Sequence, residues 1–100
     1  MEECYKYKDG SKFYYKEDKL HREDGPAIED PDGIKVWYKD GLIHRVGAPA
    51  VEYPSGTKLW YKEGKLHRED GPACEYSGGT KFWYLEGKKV NVSELTSDVK

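Results

Sequence analysis

Two features of this chain combine residue types and spacing in a way that suits chemistry. The first is an aromatic ring set between two ammonium groups, in Lys35-Val-Trp37-Tyr-Lys39 and again in Lys58-Leu-Trp60-Tyr-Lys62. Alternate residues of an extended strand share a face, so each ring lies between two lysines on one surface. Such a surface suits stacking of bases with neutralisation of phosphates, or aromatic anchoring of an acidic partner protein. A plainer reading covers each Trp with Ala and His inside the sheet and lets the Lys stems snorkel outward. Tyr14 and Trp83 hold the equivalent positions, so the candidate partner-binding set is Tyr14, Trp37, Trp60, Trp83, Lys35, Lys39, Lys58 and Lys62. The second feature is a column of imidazoles, His21, His44 and His67, which invites a metal site or, with Cys74, nucleophilic chemistry.

The spacing that reveals the column also argues against that chemistry. His21, His44 and His67 are 23 residues apart, as are Trp37, Trp60 and Trp83, and Pro26-Ala27, Pro49-Ala50 and Pro72-Ala73. Gly10, Gly33, Gly56 and Gly79 keep the same step, and so do Tyr15, Tyr38, Tyr61 and Tyr84. A fixed period of this size marks an array whose units lean on their neighbours, and a residue present in each unit belongs to the scaffold first. With three strands per unit, successive histidines are expected about 14 Å apart, whereas one zinc needs its ligands at about 2 Å. Cys74 takes the slot held by Ile28 and Val51 in the earlier units, which makes it a small core residue. The chain has no Gly-rich phosphate loop leading into a helix and no Ser elbow. The expectation is a protein without catalytic residues, metal or cofactor.

The elements that position these residues are written in the turns. Pro31-Asp32-Gly33 and Pro54-Ser55-Gly56 suit three-residue hairpin loops, with Pro presetting the first turn residue and Gly taking the left-handed bulge. Asp40-Gly41, Glu63-Gly64 and Glu86-Gly87 suit two-residue turns, and Asp24-Gly25-Pro26 and Asp70-Gly71-Pro72 form a third corner leading to the next unit. These turns predict a register: Val51 opposite Leu59, Glu52 opposite Lys58, Ala50 opposite Trp60, Tyr61 opposite Leu66 and Trp60 opposite His67. One face then carries Val51, Tyr53, Leu59, Tyr61 and Leu66. The other carries Ala50, Trp60 and His67, beside a row of Glu–Lys cross-strand pairs. The predicted fold is all-β: a single elongated antiparallel meander of 23-residue units, about three full repeats and a partial fourth, over residues 1–92. Residues 93–100 read as a short capping helix with Ser93 as its N-cap, or as a tail.

Composition sets the outer bounds. One hundred residues suffice for one small domain. A net charge of −2 argues against a strongly electrostatic nucleic-acid binder, and 14% aromatics at fixed positions argue against disorder despite a mean hydropathy of −0.99. With few Leu, Ile and Val, the core is expected to be thin and aromatic. Cys4 and Cys74 fall in unrelated slots and are expected as free thiols. Met-Glu-Glu-Cys at the start has no apolar leader, and no stretch is apolar and long enough to span a bilayer. A reducing cytoplasm is the expected setting, without membrane contact.

The recurring Trp-Tyr-Lys-Glu-Gly-Lys-Leu-His-Arg of residues 60–68 resembles a variant MORN repeat. The family's Tyr-x-Gly-x-x-His core maps onto Tyr38, Gly41 and His44 and onto Tyr61, Gly64 and His67, with one extra residue between Tyr and Gly. Arg22, Arg45 and Arg68 stand where that family has Gly after His. His-Arg-Glu-Asp-Gly-Pro-Ala, at 21–27 and 67–73, is similar to YwqK-related repeat proteins of bacteria, phages and large DNA viruses. That resemblance spans residues 5 to 90. It implies a hairpin-built sheet that binds proteins and, more narrowly, a phage-type inhibitor or antitoxin-like neutraliser of a bacterial partner in the host cytoplasm. Single-stranded nucleic-acid binding on the Lys/Trp face is the alternative. The chain is expected as a monomer or an edge-paired homodimer. The period breaks where Val46-Gly47 replaces Glu-Asp, Asp30 replaces a Tyr, Tyr14 replaces a Trp and Val90 stands where a fourth His would fall, and those departures are where a specific partner would leave its mark.

Overall fold

Turn chemistry builds this fold. A computed structural model describes residues 2–91, so the expected helix or tail at 93–100 lies outside the described residues. In the Pro54-Ser55-Gly56 loop, Gly56 N–H donates to Tyr53 O at 3.0 Å and Tyr53 N–H to Thr57 O at 3.0 Å. Gly56 sits at φ 104, the left-handed position that closes such a loop without steric cost. The same bonds recur between Asp30, Gly33 and Ile34 and between Tyr76, Gly79 and Thr80. Glu63-Gly64 has φ values of 49 and 83, the double positive φ of a tight two-residue hairpin turn. The register follows the turns: Val51 pairs with Leu59, Glu52 with Lys58, and Tyr61 with Leu66, while His67 N–H donates to Trp60 O at 3.0 Å.

The result is an elongated, all-β antiparallel meander, 53 × 29 × 18 Å, with no helix among the described residues. Its strands are β1 (Glu2–Lys6), β2 (Lys12–Lys16), β3 (Lys19–Leu20), β4 (Ile28–Glu29), β5 (Lys35–Val36), β6 (Tyr38–Lys39) and β7 (Leu42–Ile43), followed by β8 (Val51–Glu52), β9 (Lys58–Leu59), β10 (Tyr61–Lys62), β11 (Lys65–Leu66), β12 (Cys74–Glu75), β13 (Lys81–Leu85) and β14 (Lys88–Val90). The main sheet runs β1-β2-β4-β5-β8-β9-β12-β13-β14, with β3 paired to β2.

The structure departs from the expected three strands per unit in one sheet. Each inner unit gives two strands to the main sheet, while β6-β7 and β10-β11 form separate side hairpins. The break falls at Trp37 and Trp60. Trp37 N–H donates to Ala50 O across the main sheet at 2.8 Å, and its carbonyl accepts from His44 N–H in the side hairpin at 3.0 Å. Each Trp is therefore a hinge between two rows. Successive side hairpins are tied by Gly41 N–H to Leu20 O, Gly64 N–H to Ile43 O and Gly87 N–H to Leu66 O, at 2.8–2.9 Å. Two main-sheet strands per unit shorten the expected histidine spacing from about 14 Å to roughly 10 Å.

The core is thin, but its buried centre is aliphatic rather than aromatic. Ala27, Ala50 and Ala73 are fully buried, with Val51 and Cys74 beside them, and among the described residues no large side chain is fully enclosed. The aromatics lie half-covered around this line, as in the edge-to-face pairs Tyr5–Tyr15, Tyr7–Phe13 and Tyr76–Phe82 at 5.3–6.0 Å. Both cysteines are free thiols, Cys4 exposed and Cys74 buried, and burial pushes the Cys74 thiol pKa up.

Candidate functional site

The polar face is organised by arginines. Arg22 lies over the Tyr14 ring at 3.8 Å, Arg45 over Trp37 at 3.8 Å and Arg68 over Trp60 at 3.9 Å, within cation–π range. In each, Nη1 donates to the carbonyl of the corner proline, Pro26, Pro49 or Pro72, at 3.0–3.2 Å. The same Nη1 donates to Glu29, Glu52 or Glu75 at 3.0–3.2 Å. One guanidinium thus ties the ring, the corner and the sheet of its unit. Proline supplies a carbonyl without an N–H, so the corner leaves an acceptor that a planar fork of donors can reach.

This arrangement keeps the expected Glu–Lys rows in register but takes from them the expected cross-strand ion pairs. Lys35 stands opposite Glu29 and Glu52, and Lys58 opposite Glu52 and Glu75, in the main sheet. Among the described residues, none of those facing pairs closes into an ion pair within 4.0 Å, because the carboxylates turn to the arginines. It also changes the aromatic set. Tyr14, Trp37 and Trp60 are each overlaid by a guanidinium rather than left as open platforms. Trp83 pairs with Val90 at the end of the sheet, away from any histidine of its own unit.

The histidines are scaffold residues with a defined role. Nδ1 of His21, His44 and His67 accepts the backbone N–H of Asp40, Glu63 and Glu86, at 2.9–3.0 Å. Each ring therefore buttresses a positive-φ turn of the next unit, at φ 49–51. In the neutral ring the proton then sits on Nε2. In the first and third units Nε2 lies 3.3 Å from Glu23 and Glu69. That hydrogen bond from His21, together with Lys16, holds the Glu23 carboxyl below the usual carboxylate range. Among the described residues, no group of three His, Cys, Asp or Glu is placed to hold a metal ion.

Two of the grooves between the units share a wall. One, of about 740 Å³, lies between the Arg22–Pro26 corner and Trp37, Lys39 and Arg45. The other, of about 600 Å³, lies between the Val46–Pro49 corner and Trp60, Lys62 and Arg68. The structure therefore brings Trp37 with Lys39, and Trp60 with Lys62, to the groove walls. Lys35 and Lys58 stay out of both grooves, on the main sheet. Val46 lines both grooves and is 84% exposed, the most exposed of the large apolar side chains described. The sequence marks Val46-Gly47 as a break in the period and Arg22, Arg45 and Arg68 as a departure from the MORN pattern, without the role that the structure gives the arginines. The signal was present: each Arg follows its ring by eight residues and precedes its Glu by seven in all three units.

No protein-family model, curated protein or solved structure matches this chain.

Proposed function

We propose that the chain is a non-enzymatic, protein-binding repeat module that receives its partner on the doubly grooved face. The observation that carries this reading is the pair of grooves, about 740 and 600 Å³, with mixed polar and aromatic walls, meeting at His44, Arg45 and the exposed Val46. The arginine ties hold the walls in place, so little ordering opposes association. The sequence resemblance to YwqK-related repeats supports the narrower reading of an inhibitor or neutraliser of a bacterial protein. Binding of single-stranded nucleic acid is the weaker reading. A ring face already holding a guanidinium at 3.8–3.9 Å does not accept a base on that side. Glu23, Asp24, Glu69 and Asp70 on the groove walls also repel a polyanion.

Photo-cross-linking tests the reading. A benzophenone side chain at position 46 is expected to capture a discrete protein from bacterial extract that the same group at the exposed position 53, which lines neither groove, does not. Equal capture from both positions, or none from position 46, removes this face as the binding surface. Tryptophan quenching by oligothymidylate that weakens steeply with salt would favour the nucleic-acid reading instead.

A further inference from the structure

The three corners of the array are chemically alike except at one place. In the first unit the carboxylate of Asp24 accepts from Arg22 Nε at 3.2 Å and Glu23 lies 3.3 Å from His21 Nε2. In the third, Asp70 accepts from Arg68 Nε at 3.1 Å and Glu69 lies 3.3 Å from His67 Nε2. The middle unit keeps both donors, His44 and Arg45, but carries Val46 and Gly47 where the acids stand. Among the described residues, no side chain replaces those two acceptors: Arg45 bonds only through Nη1, and His44 only through Nδ1. The Arg45 side chain is correspondingly more exposed, 30% against 21% and 23% for Arg22 and Arg68.

The corner has also changed its path. Gly25 and Gly71 lie so close to the guanidinium that an added Cβ would meet Cζ at 3.0 and 2.8 Å. Ala48 has a Cβ at that position, and Gly47 adopts φ 80 to take the chain round it. The outcome is that Arg45 Nε and His44 Nε2 lack the carboxylates that meet them in the flanking units, beside an exposed valine where the two grooves meet.

We infer that this gap is a docking site for an acidic segment of a partner protein, whose adjacent carboxylates take the places that Glu-Asp fill in the flanking units while an apolar side chain packs on Val46. This rests on the protein-binding reading and names the partner's chemistry. The flanking units are the template: they show that carboxylates reach both donors at 3.1–3.3 Å. Lys39 and Lys62, one on each groove wall, add positive charge around it. The flanking Glu23-Asp24 and Glu69-Asp70 limit the favourable zone to a single unit. That suits a short acidic motif rather than a continuous phosphate backbone.

The chain has three arginines and three histidines, so the site can be read directly from their side-chain N–H signals in ¹⁵N NMR. The probe is an N-acetylated, C-amidated heptapeptide carrying Leu-Glu-Asp, with a Leu-Gln-Asn peptide and oligothymidylate as comparisons. The expected result is movement of Arg45 Nε–H and the His44 ring signals, with those of Arg22, Arg68, His21 and His67 still, and binding about tenfold or more weaker for the amide peptide. The triple variant Val46→Glu, Gly47→Asp, Ala48→Gly restores the flanking corner and is expected to fold and to abolish the response. No response in the wild type, equal movement at all three arginines, unchanged binding by the triple variant or by the amide peptide, or tighter binding of oligothymidylate each overturns the inference. If position 46 still captures a protein by cross-linking when the acidic peptide fails, the partner's chemistry is wrong and the protein-binding reading stands.

Discussion

Replacing Arg68 by Ala removes four interactions at once, and the structure sets the scale of the loss. The guanidinium lies 3.9 Å from the Trp60 ring, a contact worth about 0.5–1 kcal/mol at a partly exposed site. Its bond to Pro72 O, at 3.1 Å, is part-buried, and its loss costs about 1 kcal/mol. The pair with Glu75, at 3.1 Å, joins side chains 23% and 31% exposed, so screening holds it to about 0.5–1 kcal/mol. The contact with Asp70, whose side chain is 89% exposed, adds little. The sum is about 2–3 kcal/mol, or roughly 8–24 °C in Tm for a domain of this size. Lys at this position keeps a charge but not the planar fork, and is expected to recover less than half of the loss. Urea melts followed by tryptophan fluorescence measure both variants. A cycle combining Arg68→Ala with Trp60→Leu is expected to return a coupling of about 0.5–1 kcal/mol. A loss under about 0.5 kcal/mol for Arg68→Ala, or a Lys variant as stable as wild type, would refute the idea that each arginine ties the ring, the corner and the sheet of its unit.

Ala50→Leu pushes extra volume into a fully buried position and is expected to cost about 1–3 kcal/mol in the same melts, whereas Val46→Ala, at an exposed position, leaves stability within about 0.5 kcal/mol. Glu63→Asn relieves a non-glycine residue at φ 49 in the two-residue turn and is expected to stabilise by about 0.5–1 kcal/mol; a destabilised variant would show that Glu63 makes a compensating contact. Iodoacetamide is expected to modify Cys4 rapidly and Cys74 only on unfolding, as mass spectrometry of the alkylated chain would report. Burial raises the thiol pKa of Cys74, so the unfolded chain loses that proton first. Its contribution is fully present below the ordinary thiol pKa and falls away as pH rises through the folded value. Burial raises Tyr61 in the same direction, so denaturant midpoints are expected to drop above about pH 9, less steeply in Cys74→Val, and a midpoint flat to pH 10.5 or so would contradict this.

The sequence by itself determined the turns, the register and the chain's all-β character. Pro54-Ser55-Gly56 and Glu63-Gly64 specify their loops within a few residues. Once the loops are set, strand alternation assigns Val51 to Leu59 and Tyr61 to Leu66. It also marked Val46-Gly47 as one of the places where the array differs from itself. What it left undecided is how neighbouring units meet sideways. The split of each unit into a main-sheet pair and a side hairpin depends on Trp37 and Trp60 bonding in both directions at once, which no local pattern encodes. The choice of Glu52 between Lys35, Lys58 and Arg45 was equally out of reach. All three are within plausible reach in a strand diagram, and only the three-dimensional path of the corner brings the guanidinium to 3.2 Å. Short-range sterics act within a turn and can be read from residue types. Ion-pair partners and grooves depend on distances between segments far apart in the chain, and those exist only after the units have stacked.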